Sequence, residues 1–246
     1  MENMKNVLVT GVSRGIGMAI ARKLVEEGYL VHGTYNTGEQ EAKRLKDEIK
    51  NIEIYQGDFR YRDQLQAIVA KLGDKEFFAV INNAGMFELE NFEDFDLEIW
   101  DSTLAVNVTT PLILSLALQK NIPDGGSIVN IASSDGLIGS FASMSYGASK
   151  AALMNVTKSL ANNFGKRNIR VNALAPGWID TGMSTEESFE AVSLTPLGRN
   201  GKPEEVADLV SYLISEKASF ISGTTIIIDG AYTCVDYIMK KEAEGQ

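Results

Sequence analysis

The chain has 246 residues, enough for one well-filled core and short for two generous domains, so a single domain over 1–246 is expected. Apolar residues make up 44% and charged residues 23%, which excludes a disordered chain. Acids outnumber bases 33 to 23, and a formal charge of -10 repels phosphate backbones, so no nucleic-acid partner is expected.

In chain order, a strand is read at 7–10, followed by the glycine-rich run Thr10-Gly11-Val12-Ser13-Arg14-Gly15-Ile16-Gly17 and a helix at 16–27. A strand at 30–35, a helix at 39–50, a strand at 52–56, a helix at 62–72 and a strand at 78–82 come next. One long helix is expected at 97–119, then a strand at 127–132, a helix at 143–164 and a strand at 169–175. The stretch 177–202 has few periodic apolar positions and reads as a loop; loops that long are usually functional, so a substrate lid is expected there. A helix at 204–214 opens behind Pro203 with two acids in its first turn, and a last strand covers 225–228. Several strands are continuous apolar runs, as in a parallel sheet buried on both faces, and strand and helix alternate throughout. The expected fold is α/β: a doubly wound, seven-stranded parallel sheet with helices on both faces.

No apolar run reaches the roughly 18–20 residues that cross a bilayer, and the N-terminus lacks the apolar core of a signal peptide. The lone Cys234 excludes an intrachain disulfide, and with His32 as the one histidine a His-rich metal site is impossible. A cytoplasmic protein without a metal is the expectation. His32 itself reads as a packed strand residue.

The glycine run sits where a first strand turns into a helix. Glycines there let the backbone approach a pyrophosphate, and the helix N-terminus offers free N–H groups. Its spacing is G-x3-G-x-G. Asn82-Asn83-Ala84-Gly85, Asn107, Ser133, Tyr146-Gly147-Ala148-Ser149-Lys150 and Pro176-Gly177 follow in order. Together these resemble the short-chain dehydrogenase/reductase family, a Rossmann-type fold, over most of the chain. Gly201-Lys202-Pro203-Glu204-Glu205 and the Ile221-Ser222-Gly223…Asp229-Gly230 ending look most like its 3-oxoacyl-carrier-protein reductase branch.

The resemblance implies a nicotinamide cofactor held by Gly11, Ser13, Arg14, Gly15, Ile16, Gly17, Asn36, Thr37, Asp58, Phe59, Asn83, Ala84, Gly85, Tyr146, Lys150, Pro176, Gly177, Ile179 and Thr181. An acid after the second strand would favour NAD; this chain reads Thr34-Tyr35-Asn36-Thr37, and with Arg14 nearby NADP is favoured. Arg14 as a merely solvated residue, and Asp58 as a plain helix cap instead of an adenine contact, are the rival readings.

Tyr146 and Lys150 are four apart, on one face of a helix. A phenol exchanging protons near neutral pH needs its pKa lowered by about three units, roughly 4 kcal/mol, and the Lys150 ammonium with the positive nicotinamide ring of an oxidised cofactor has the right sign. An isolated Tyr-x-x-x-Lys pair is ordinarily a surface pair. With Ser133 to meet the substrate oxygen and Asn107 to hold a water for Lys150, as the resemblance implies, the set reads as a catalytic tetrad. Ser134 is the rival to Ser133.

The substrate is expected among Ser133, Ser134, Asp135, Phe87, Phe141, Trp178, Met183 and Phe189, with Met86, Met144 and Leu137 alongside. A 3-oxoacyl thioester leads. A free sugar, polyol, steroid or other small alcohol or ketone is the alternative, and a non-catalytic nucleotide-binding scaffold is a third reading, opposed by the intact tetrad. Arg167 and Arg170 offer positive charge to an acidic carrier; Asp124 stands where many relatives place a base and counts against one. A homotetramer paired through the helices at 97–119 and 143–164 is expected. The tail at 232–246 is expected to be an extension, docked either across a subunit boundary or on its own subunit.

Overall fold

In the computed structural model, which describes residues 4–182, 186–243 and 245 (without the side chains of 186–189), seven parallel strands pair in the order β3-β2-β1-β4-β5-β6-β7. They are β1 Asn6–Thr10, β2 Leu30–Tyr35, β3 Ile52–Gln56, β4 Ala79–Asn82, β5 Ser127–Ile131, β6 Arg170–Pro176 and β7 Thr225–Ile228. The helices are α1 Gly15–Glu26, α2 Glu39–Glu48, α3 Arg62–Leu72, α4 Leu97–Leu104, α5 Thr110–Ala117, α6 Met144–Phe164, α7 Glu186–Leu194, α8 Pro203–Ile214 and α9 Tyr237–Ala243. Because β1 is flanked by β2 and β4, the chain reverses its direction of travel across the sheet there. That switch point opens a crevice at the carboxyl ends of the strands.

Burial of the central strands on both faces explains their unbroken apolar runs. Val7, Val9, Ile81, Val129 and Leu174 pack toward α1 and α8 on one face. Leu8, Val80, Ile128 and Val171 pack with Leu65, Leu114, Leu160 and Phe164 from α3, α5 and α6 on the other. His32 is 1% exposed, bonded to Tyr55 Oη and Asn6 Oδ1, and burial pushes its pKa down. No helix among the described residues is long and apolar enough to cross a membrane.

Two expectations are corrected. The long helix at 97–119 is two helices joined by a π-helical turn, Ala105–Thr109. Pro111 cannot donate to the Asn107 carbonyl four residues back and its ring crowds that carbonyl, so the α ladder slips by one residue. The 177–202 segment contains α7, whose described buried residue is only Ala191, too small a signal to announce a helix. Its two ends are zipped: Gly201 N–H donates to the Trp178 carbonyl and Asp180 N–H to the Gly201 carbonyl, both at 2.8 Å. The tail carries a short turn at Tyr232–Cys234 and then α9, with Lys240 Nζ on the Ser193 carbonyl of α7's last turn at 3.1 Å. Ile238 and Met239 are exposed.

Candidate active site

A cleft of about 610 Å³ lies over the switch point, within the range of small-molecule sites. At one end its wall is the turn between β1 and α1. Gly11 has φ 75°, a left-handed conformation that side chains disfavour. A Cβ on Gly17 would stand 2.0 Å from the Gly11 carbonyl oxygen and 2.4 Å from Asn83 Nδ2, so the backbones meet only because Gly17 has no side chain. The Thr10 hydroxyl accepts N–H bonds from Asn83 and Ala84, both at 2.9 Å, locking the loop after β4 onto β1. Sequence reasoning missed Thr10, although it opens the glycine motif.

Helix α1 starts from an extended Arg14 with no side-chain cap and no acid in its first turn, so its N-terminal dipole faces the cleft uncompensated. Arg14 lines the cleft and forms no ion pair among the described residues. Asn36 and Thr37 line it too, and Glu39, the first carboxylate after β2, is turned onto Lys43 at 2.6 Å. Asp58 does not cap α3, whose N-cap is Tyr61. Its carboxylate takes the Arg60 guanidinium at 2.6 to 3.1 Å, which holds it below the usual carboxylate range. Arg60 was not singled out by sequence. Phe59, Gly85, Pro176, Gly177, Ile179 and Thr181 complete this lining.

The other end of the cleft is built from Ser133, Tyr146 and Lys150. Ser133 follows β5 and its hydroxyl caps the turn Ser134–Gly136, while Ser134 is buried outside the lining. Tyr146 and Lys150 project from the first two turns of α6. Lys150 is 3% exposed; its ammonium donates to the Ile131 carbonyl at 2.8 Å and lies 5.4 Å from the Tyr146 ring centre. Burial brings its pKa down to about 8, against an opposing pull from Asp135. Tyr146 moves in the opposite direction to Lys150. Burial, aided by the Asp135 charge and resisted by a hydrogen bond with Ser133, pushes the phenol up to about 12. Desolvation of a phenolate outweighs the Ser133 hydrogen bond, so Tyr146 is held as the neutral phenol.

Asn107 sits at the centre of the π-helical turn. Its Nδ2 donates to the Met86 carbonyl and Ser149 Oγ, and its Oδ1 accepts from Met86 N–H at 2.8 Å. The side-chain amide is therefore a brace for the loop after β4, and Pro111 leaves the Asn107 main-chain carbonyl without its α-helical donor. Gly85 faces both Lys150 Nζ and Asn107 Oδ1.

Of the expected substrate residues, Phe87 sets its ring edge-on to Tyr146 at 5.2 Å. Asp135 is half-buried, with burial raising its pKa. Trp178 is partly exposed and Phe141 fully so, and Phe141 is not part of the cleft lining. Met183 and the side chain of Phe189 lie outside the described residues. Arg170 is not available to a partner: it is buried, and its guanidinium closes the end of α8 on the carbonyls of Leu213, Ile214 and Ser215. Arg167 binds Asp124 at 2.9 Å near the amino ends of β5 and β6, about 16 Å of strand from the Ser133 edge. Among the described residues no group of three or more His, Cys, Asp or Glu could hold a metal.

A family model described as enoyl-(acyl carrier protein) reductase matches residues 11–233. The chain is similar to the 3-oxoacyl-(acyl-carrier-protein) reductase of Aquifex aeolicus strain VF5, 38% identical over 239 residues, covering 91% of this chain and 95% of that one. Among solved structures it is similar to a short-chain dehydrogenase/reductase from Serratia marcescens BCRC 10948, with TM-score 0.88, 33% identity and 93% and 98% of the two chains covered. It is also similar to a short chain dehydrogenase from Burkholderia cenocepacia J2315 in complex with NADP, with TM-score 0.89, 33% identity and the same coverage.

Proposed function

This chain belongs to the short-chain dehydrogenase/reductase family of oxidoreductases, and from that premise we propose an NADP(H)-dependent ketoreductase of the 3-oxoacyl-thioester type, with Tyr146 as general acid. The observation that carries the reading is the convergence of Ser133, Tyr146 and Lys150 on one end of the cleft whose other end is the glycine wall. The cleft fits a dinucleotide by its uncapped helix end and its side-chain-free backbone contact at Gly17. Arg14, Asn36 and Thr37 would meet a 2′-phosphate, and Asp58, a carboxylate of the same lining, is already paired with Arg60.

When bound, the reduced nicotinamide supplies hydride to the carbonyl carbon. Ser133 donates a hydrogen bond to the carbonyl oxygen, where negative charge grows. Tyr146, kept neutral by burial, gives that oxygen its proton. A phenol near 12 stays protonated at pH 7, so Tyr146 is available there as the general acid of reduction. Lys150 holds the ribose side of the site and returns a proton to Tyr146, drawing it from solvent through a water at the Asn107 carbonyl.

A second reading, a small free ketone or secondary alcohol, is favoured by one observation. The bases expected to meet an acidic carrier are committed elsewhere, Arg170 inside the fold and Arg167 to Asp124. Turnover of acetoacetyl-coenzyme A with NADPH, set beside a carrier-protein thioester and a panel of free ketones, tests both. Reduction of the thioesters supports the first reading, free ketones alone the second, and no NADPH oxidation with any of them sinks both.

A further inference from the structure

The residue that fixes the N-terminus of α6 is not on α6. The helix begins two residues before Tyr146, and the first-turn N–H groups of any helix need acceptors from outside its own ladder. Ser143 occupies the N-cap position, where a serine normally accepts from the second or third residue. Here it does not. Its backbone stands at ψ 60°, it makes no cap bond, and its hydroxyl is engaged with Ser140 Oγ at 2.7 Å. The acceptor comes instead from Glu90, 55 residues before Ser145. Both carboxylate oxygens lie 3.1 Å from Ser145 N, and Glu90 N–H donates to the Ala142 carbonyl at 2.8 Å. Glu90 is 9% exposed, so this charge-assisted contact is little screened.

Glu90 also ends a strap. Thr10 holds the loop after β4 at Asn83 and Ala84, Asn107 holds it at Met86, and Phe87 lies edge-on against Tyr146. The strap then crosses to the start of α6, one residue before the phenol. We infer that Glu90 is a positioning residue: by capping α6 from the β4 loop it sets where the Tyr146 hydroxyl stands relative to the glycine wall. The inference rests on the proposed role of Tyr146. A misplacement of about 1 Å costs on the order of 100-fold in rate, so loss of the cap should appear in kcat.

The experiment uses the full chain, acetoacetyl-coenzyme A and NADPH, with Tyr146→Phe alongside. Glu90→Ala is expected to lower kcat at least tenfold while NADPH affinity and KM stay within threefold. Glu90→Gln, which keeps an acceptor, should return kcat to within threefold of the parent. In the unaltered protein the Ser145 amide should exchange its hydrogen far more slowly than an exposed amide, a readout that needs no variant to fold. A Glu90→Ala enzyme with kcat within twofold of the parent, a loss shared equally by NADPH affinity and not restored by Glu90→Gln, or rapid exchange at Ser145 would each overturn the inference. If Tyr146→Phe keeps its turnover, the Tyr146 reading falls and takes this inference with it; if Tyr146→Phe is inactive and Glu90→Ala is not impaired, this inference alone fails.

Discussion

At the glycine wall, a single methyl on Gly17 would overlap the Gly11 carbonyl oxygen at 2.0 Å; at the Tyr146 end, the buried groups are held by charge and hydrogen bonds, with Lys150 brought down to about 8 and Tyr146 pushed up to about 12. The first region is shaped by steric contact between backbones. The second is poised by burial, with Asp135 acting on both titratable groups. A steric wall is blind to pH and fails on small additions of volume. An electrostatic cluster tolerates volume better and responds to every proton.

Four measurements would break or sharpen that contrast. Tyr146→Phe should cost about 1000-fold in kcat, roughly 4 kcal/mol, with NADPH affinity nearly unchanged, because it deletes a proton and almost no area. Stopped-flow kinetics and a fluorescence titration separate the two, and an equal loss of affinity would mean that this end is also steric. Gly17→Ala should do the reverse, weakening NADPH binding by about 100-fold, near 2.7 kcal/mol, and lowering the melting temperature. Unchanged affinity would show that the wall yields.

NADPH should bind about tenfold more tightly than NADH, a gap of about 1.4 kcal/mol, and Arg14→Ala should close most of it. Equal affinities in the parent protein would remove the case for NADP. The smallest effect belongs to pH. Lys150 is charged below about 8, so NADPH affinity should hold at lower pH and fall as pH rises through that value. Asp135 supports the charged lysine, and Asp135→Asn should move the fall to lower pH. A profile that ignores this substitution would separate Asp135 from the site.

Strand and helix order followed from periodicity because burial on both faces imposes long apolar runs on β1, β4, β5 and β6 regardless of what binds above them. The glycine wall was legible for a related reason. Backbone contact excludes every side chain, so its requirement is written directly as Gly11, Gly15 and Gly17. Tyr146 and Lys150 were readable as a pair because a helix fixes what lies four residues apart.

What the tertiary structure decided is everything that depends on who faces whom across the fold. The sign of the Tyr146 shift required knowing that burial outweighs a lysine that points at the Ile131 carbonyl. Arg170, a candidate partner contact by sequence, closes the end of α8 because β6 starts beside the last turn of that helix. Ser143 looks like the cap of α6, yet Glu90 supplies the acceptor from 55 residues upstream of Ser145. Local spacing encodes turns and periods, whereas desolvation and long-range hydrogen bonds exist only once the chain has closed on itself.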